Sequence, residues 1–277
     1  MRPGTSILLA TLAVALAGCG RAREEPASLT VYAPCVVSGP IQKLAAAYEA
    51  AHPDVKVSTQ VEKPLAMPSH MAEGAEGPAV VFTMGEVEMQ TLVQAGAVEA
   101  ADVRNIAVNT FPLVIVAPVQ GSQSLHELSD LTKVERVYLE DPSESTLGAR
   151  AKEAFENLGL WEEIAAHVVR PNPKAMVLGE LLAGGADAAV VFKDCLFAET
   201  GTGAPPRTIR IIAELPQNSY PPIHYQAAPL KSAAQPELAR AFVQFLASPE
   251  GAQATKNAGL LPVEGPQSTW LAPGRED

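Results

Sequence analysis

Residues 29–61 read LTVYAPCVVSGPIQKLAAAYEAAHPDVKVSTQV, and this stretch holds a strand, a helix and a second strand in succession. Leu29 to Tyr32 opens as a short strand, and a turn follows through Ala33-Pro34-Cys35-Val36-Val37-Ser38-Gly39-Pro40. Ile41, Leu44, Ala45 and Tyr48 then recur at i, i+3, i+4 and i+7, the stripe of a helix that buries one face. The residue before a proline is biased away from helical backbone, so the helix is expected to end near His52, ahead of Pro53. Val55 to Val61 alternates in the period of a second strand. A strand, a crossover helix and another strand form the unit from which parallel sheets covered by helices are built.

The same order recurs downstream. A helix is expected over about Leu65 to Glu73, a strand over Val80 to Phe82, and a helix over Glu86 to Ala95 that stops at Gly96. Leu113 to Ala117 (LVIVA) is apolar throughout, as a strand covered on both faces must be. Val137 to Leu139 reads as another strand, and the turn Asp141-Pro142-Ser143 leads into a helix that runs to about Leu158, ahead of Gly159. Ala175 to Ala183 reads as helix, and Ala188 to Phe192 (AAVVF) as an apolar strand. Ile209 to Ile212 and Ile223 to Ala227 read as strands, and Leu238 to Leu246 and Glu250 to Asn257 as the closing helices. With 277 residues, 47% of them apolar and only 5% aromatic, the chain has material for one or two packed α/β cores.

The beginning of the chain carries a different message. Arg2 precedes a short apolar run from Ser6 to Leu16, which leads into Leu16-Ala17-Gly18-Cys19. That run is shorter than the ~20 apolar residues needed to span a bilayer, so it reads as an export signal. Its end resembles a bacterial lipobox, which implies cleavage before Cys19 and lipid on that thiol. Residues 1–18 are then the signal and residues 19–28 a polar tether between lipid and fold. Two or more acyl chains hold a protein stably at a membrane. The net charge of −11 is spread out, and no run of Lys or Arg forms a basic stripe, so nucleic acid is not an expected partner.

Several segments together resemble the periplasmic molybdate-binding (oxyanion) proteins of ABC importers, which have the type II periplasmic binding protein fold. LTVYA (29–33) and IQKLAAAYEAAHPDVKV (41–57) match that family's first strand, helix and second strand. FPLVIVAP (111–118) looks like a first crossover between lobes, and EDPSESTLGARAKEAFENLGLWEEI (140–164) is the closest match of all. ADAAVVF (186–192), Tyr225 and FLASPEG (245–251) follow in the family's order. The resemblance implies an α/β, two-lobed fold with two parallel-rich sheets joined by crossover strands. Residues 29–112 and 226–262 would form lobe one, residues 113–225 lobe two, and residues 263–277 a loose tail. It implies a ligand clamped between the lobes, permease and ATPase subunits as partners, no enzyme activity and no cofactor. Oxyanions in such clefts are held by backbone N–H groups at helix N-termini and a few hydroxyls.

The residues expected at the ligand depart from the family pattern. Where the family has serine in the first turn, this chain has Cys35 and Val36; where it has a run of serines, Glu62-Lys63-Pro64; where it has a tyrosine hydroxyl, Phe192. Thr146-Leu147-Gly148 keeps the glycine of the lobe-two helix start, and Met84 follows the third strand. The implied ligand set is therefore Cys35, Val36, Lys63, Met84, Thr146, Leu147, Gly148, Phe192 and Cys195. Three lost donors, each contributing about 1.5–3 kcal/mol when charge-assisted, matter for an oxyanion. A second reading stays open: Cys35 and Cys195, with His70, as soft ligands for copper or zinc or a metal complex. Met67 and Met71 flank His70, where core packing is the commoner role. His224 lies near the second crossover. No Gly-x-Ser-x-Gly elbow, P-loop, His-Glu-x-x-His or Cys-x-x-Cys pattern occurs in the chain, so an enzyme is not expected.

Overall fold

The computed structural model describes residues 26–34, 37–61, 79–110, 112–172, 177–200, 206–263 and 265. The first strand, β1 (Ala27–Ala33), leads into helix α1 (Ser38–Ala51), and β2 (Val55–Val61) returns beside β1 in parallel register from Ala27↔Val55 to Ala33↔Val61. The helix buries Ile41, Leu44, Ala45 and Tyr48, the stripe read from the sequence, and closes at His52. Burial of a large apolar side chain of this kind contributes about 1.5–3 kcal/mol. Tyr48 stacks on His52 with ring centroids 4.1 Å apart and meets the edges of Phe242 and Phe245 at 5.0 and 5.2 Å.

Next come β3 (Val80–Thr83), α2 (Glu86–Gln94) and β4 (Arg104–Val108), and the chain then leaves this sheet. It builds a second one from β5 (Leu113–Pro118), β6 (Val137–Tyr138), β7 (Val168–Val169), β8 (Ala188–Phe192) and β9 (Ile209–Glu214). Helices α3 (Thr146–Asn157), α4 (Trp161–Ile164), α5 (Val177–Leu182) and α6 (Lys193–Thr200) belong to that second half. The chain returns through β10 (His224–Pro229) and ends with α7 (Pro236–Leu246), α8 (Pro249–Asn257) and the short β11 (Leu261–Pro262).

The first sheet runs β11-β4-β10-β3-β1-β2 and the second β7-β6-β8-β5-β9. Strands linked through a helix, as in β1-β2, β1-β3 and β6-β8, pair in parallel. The crossover strands do not follow that rule: β10 is antiparallel to β3 and β4, and β5 is antiparallel to β8 and β9. They enter from the other lobe rather than over a helix of their own sheet, so nothing forces a parallel return. The result is a two-lobed α/β fold. One contiguous apolar cluster runs through both lobes, joining Leu29, Phe82 and Ile106 to Leu113, Val190 and Phe192, with Tyr225 among them. Among the described residues no helix is long and apolar enough to cross a membrane.

Candidate functional site

The two lobes meet where the N-termini of α2 and α3 face one another, and each helix caps the other. An α-helix begins with N–H groups that have no partner within the helix. Here the orphan N–H of Val87 in α2 donates to Thr146 Oγ1 at 3.0 Å, and the N–H of Thr146 in α3 donates to Glu88 Oε1 at 3.0 Å. The Thr146 hydroxyl in turn donates to Glu88 Oε2 at 2.5 Å. This reciprocal exchange of a hydroxyl and a carboxylate is the chemistry of a capping box, carried between two helices instead of within one. Arg150, one turn further along α3, pairs with Glu86 of α2 and, at 3.2 Å, with Glu153 of its own helix.

One glycine permits this approach, and a second seats α3 against the turn that precedes it. Gly85 ends the turn after β3, which Thr83 fixes by donating its hydroxyl to the Gly85 carbonyl at 2.9 Å. With φ +146°, Gly85 holds a backbone conformation that L side chains rarely adopt, and a Cβ there would lie 2.2 Å from Thr146 Oγ1. A Cβ at Gly148 would lie 2.3 Å from the Glu140 carbonyl oxygen. Ser145 caps α3, accepting from the Gly148 N–H at 3.3 Å while its hydroxyl donates to Glu140.

The electrostatics of this contact are unusual for a carboxylate. Burial pushes Glu88 up to about 7, against the lowering effect of its Thr146 bonds, and nearby Glu140 raises it further. His224 of β10, also at this contact, is lowered by burial, with Glu86 acting to raise it and Arg150 to lower it further.

A second tie crosses the lobes at the crossovers. Tyr225 of β10 donates its hydroxyl to Asp194 Oδ2 at 3.1 Å, directly after β8. Asp194 is raised by burial, although the Tyr225 bond and backbone N–H groups favour its ionised form. Among the described residues its other oxygen, Oδ1, is buried without a hydrogen-bond partner. Cys195 is half-buried beside it and packs against the central apolar cluster.

Of the residues singled out from the sequence, Thr146, Leu147 and Gly148 lie buried at the start of α3, within the helix-to-helix contact. Met84 is buried just after β3, and Phe192 at the end of β8, paired in register with Leu113. Phe192, Asp194 and Cys195 therefore sit by the crossovers, while Thr146 to Gly148 sit at the facing helices. Cys19, Cys35, Val36, Lys63, Met67, His70 and Met71 lie outside the described residues, as does the helix expected over 65–73. Among the described residues no group of three or more His, Cys, Asp or Glu is placed to hold a metal ion. The sequence reading missed Glu86, Glu88, Arg150 and Asp194. In the sequence Glu86 and Glu88 look like ordinary first-turn acids of α2, and nothing there marks Asp194 as buried.

Residues 29–261 match the family of bacterial extracellular solute-binding proteins. The chain belongs to that family. As a solute-binding protein it is not an enzyme. It is 25% identical over 263 residues to YvgL of Bacillus subtilis, a protein named as an ABC transporter substrate-binding lipoprotein; the match covers 92% of this chain and 97% of YvgL. It is 23% identical over 262 residues to the molybdate-binding protein ModA of Escherichia coli, covering 91% and 96% of the two chains. Among solved structures, the periplasmic molybdate-binding protein of Azotobacter vinelandii shares the fold of this solute-binding protein, with a TM-score of 0.56 at 19% identity over 84% of this chain and 98% of that one.

Proposed function

We propose that this solute-binding protein is the ligand-capturing subunit of an ABC importer, and that it takes a small oxyanion of the molybdate or tungstate class where α2 and α3 meet. One observation carries the ligand class: Thr146 already grips both oxygens of a carboxylate at a helix N-terminus between the lobes. Backbone N–H groups at such a position, with the helix dipole behind them, favour an anion over a neutral or cationic solute. The molybdate-binding relative in Escherichia coli and the substrate-binding lipoprotein in Bacillus subtilis support the same reading.

In this reading Leu147 and Gly148 complete the α3 side of the site. Met84 lies on the lobe-one side; Cys35, Val36 and Lys63, outside the described residues, are assigned to the same side from the sequence pattern alone. Phe192 and Cys195 close the crossover end. Lipid on Cys19 holds the protein at the membrane, where the closed form docks on its permease and ATPase. Closure is favoured only by contacts that exist in the closed state, and the bonds between α2 and α3 are of that kind.

Titration calorimetry on the chain from residue 20 onward, with molybdate, tungstate, Zn²⁺ and Cu(I), tests the ligand class. Saturable one-to-one binding of molybdate or tungstate with a matching rise in melting temperature is expected. Binding of a metal ion that is lost in Cys35→Ala and Cys195→Ala, with no response to either oxyanion, overturns it in favour of the thiol reading.

A further inference from the structure

We propose that Glu88 is the specificity-determining residue of the cleft: its carboxylate is a tethered competitor that an external oxyanion must displace from Thr146. This inference rests on the oxyanion reading above and concerns which anions that site admits.

The Thr146 and Gly148 donors are already committed. Thr146 has one N–H and one hydroxyl proton, and both go to Glu88. The N–H of Gly148 goes to Ser145, whose own proton goes to Glu140. A ligand oxygen therefore gains Thr146 only when Glu88 gives it up. The displaced carboxyl then has few places to go. Glu86 stands on its own helix, Glu140 stands at the end of the β6 segment, and His224 on β10 is held neutral by burial. Arg150 on α3 is the cation at hand, yet its terminal nitrogens are taken by Glu86 and Glu153. Among the described residues its buried Nε has no acceptor, so it is a donor on α3 open to the displaced carboxyl or to the ligand.

A fully ionised dianion beside a freed, ionised Glu88 is a like-charge pair in a partly buried site, which disfavours the complex. The complex is relieved when Glu88 takes up a proton, so oxyanion binding is coupled to protonation of this one group. Since burial raises the resident Glu88 to about 7, the coupling is absent well below that pH and sets in as pH rises through it. Affinity for a dianion should fall by up to about tenfold for each pH unit above that point, the limit for one linked proton.

The test compares the chain with Glu88→Gln and Glu88→Ala, titrated with molybdate, tungstate and sulfate at pH 6.5 and pH 8, with circular dichroism and melting curves to establish folding. Both variants are expected to bind the preferred oxyanion at least tenfold more tightly at pH 8, and to lose most of the pH dependence that the unchanged chain shows. Equal or weaker binding by both folded variants overturns the proposal while leaving the oxyanion site standing. If none of the three anions binds any form at either pH, the oxyanion reading itself fails and this inference with it.

Discussion

Replacing Glu88 by Gln should stabilise the protein above neutral pH and leave it nearly unchanged in mild acid. The reasoning starts from burial, which raises the folded-state value of Glu88 from 4.5 to about 7. A group whose folded value is raised contributes stability that is fully present below its unfolded value and lost as pH rises through the folded one. Below about pH 4.5 Glu88 is neutral in both states and its burial is tolerated; above about pH 7 it is ionised in both, and the native state carries a buried charge. At about 1.4 kcal/mol per pKa unit, that burden is on the order of 3 kcal/mol, and the part of the side chain that still meets solvent reduces it to roughly 2 kcal/mol. Gln has nearly the same shape, can accept from the Thr146 N–H, and never ionises. The stability difference between Gln and Glu should therefore grow from near zero at pH 4.5 to roughly 2 kcal/mol at pH 8, or about 4–8 °C in melting temperature for a chain of this size. Urea denaturation of the two proteins in parallel across this range measures the difference, and carboxylates common to both, such as the depressed Asp130, cancel. A pH-independent difference, or a less stable Gln variant at pH 8, refutes the account of Glu88 as a charge buried against its preference.

Thr146→Val keeps the shape but removes the hydroxyl shared by Val87 and Glu88, so a loss of about 1–3 kcal/mol is expected in denaturant titration. Gly85→Ala places a Cβ against Thr146 at a strained φ; the lobes should part, seen as a larger radius of gyration by X-ray scattering together with a loss of about 1–3 kcal/mol in stability. Tyr225→Phe removes the hydroxyl donor of Asp194 and should destabilise by about 1–3 kcal/mol at pH 7. Because the lost bond favoured ionised Asp194, that loss should shrink as pH is lowered and the carboxyl takes up a proton. Cys19→Ser should abolish incorporation of labelled palmitate in a bacterial host and release the protein from the membrane fraction; unchanged labelling removes the lipid-anchor reading.

The parts of the fold legible in the sequence were those whose pattern is complete within one segment. The stripe of Ile41, Leu44, Ala45 and Tyr48 needs only its own periodicity, and LVIVA and AAVVF declare themselves as buried strands by lacking any polar residue. Strands β7 and β11, with two residues each, exist only through their partners' hydrogen bonds, and β4 mixes Arg, Asn and Ala without alternation. Helix α6 has no amphipathic stripe to announce it. The site divides in the same way. Thr146 to Gly148 could be read as a helix start, and the structure puts them at the meeting of the lobes. Glu88 could not be read, because an acid in the first turn of a helix ordinarily serves that helix's own dipole. Its role comes from a residue 58 positions away, and no local pattern carries that distance.

In the proposed oxyanion reading, the meeting of two helix N-termini also accounts for how so acidic a chain would favour an anion. Each N-terminus carries the equivalent of roughly half a positive charge, so two of them end to end repel unless negative charge stands between them. Glu86 and Glu88 supply that charge, and they do so locally, whatever the total of −11 spread over the rest of the molecule. Their arrangement is nevertheless lopsided. The Glu88 carboxylate satisfies α3 through Thr146, while across the lobe contact α2 receives the Thr146 hydroxyl at Val87 and no carboxylate from α3. A tetrahedral oxyanion has four acceptor oxygens and can face both helix ends at once, where a carboxylate fixed to α2 faces only one. This second set of bonds is what an external anion has and the resident carboxylate lacks. On the proposed reading it would give the ligand a way to win the exchange at Thr146 and to hold the lobes together more firmly than Glu88 does.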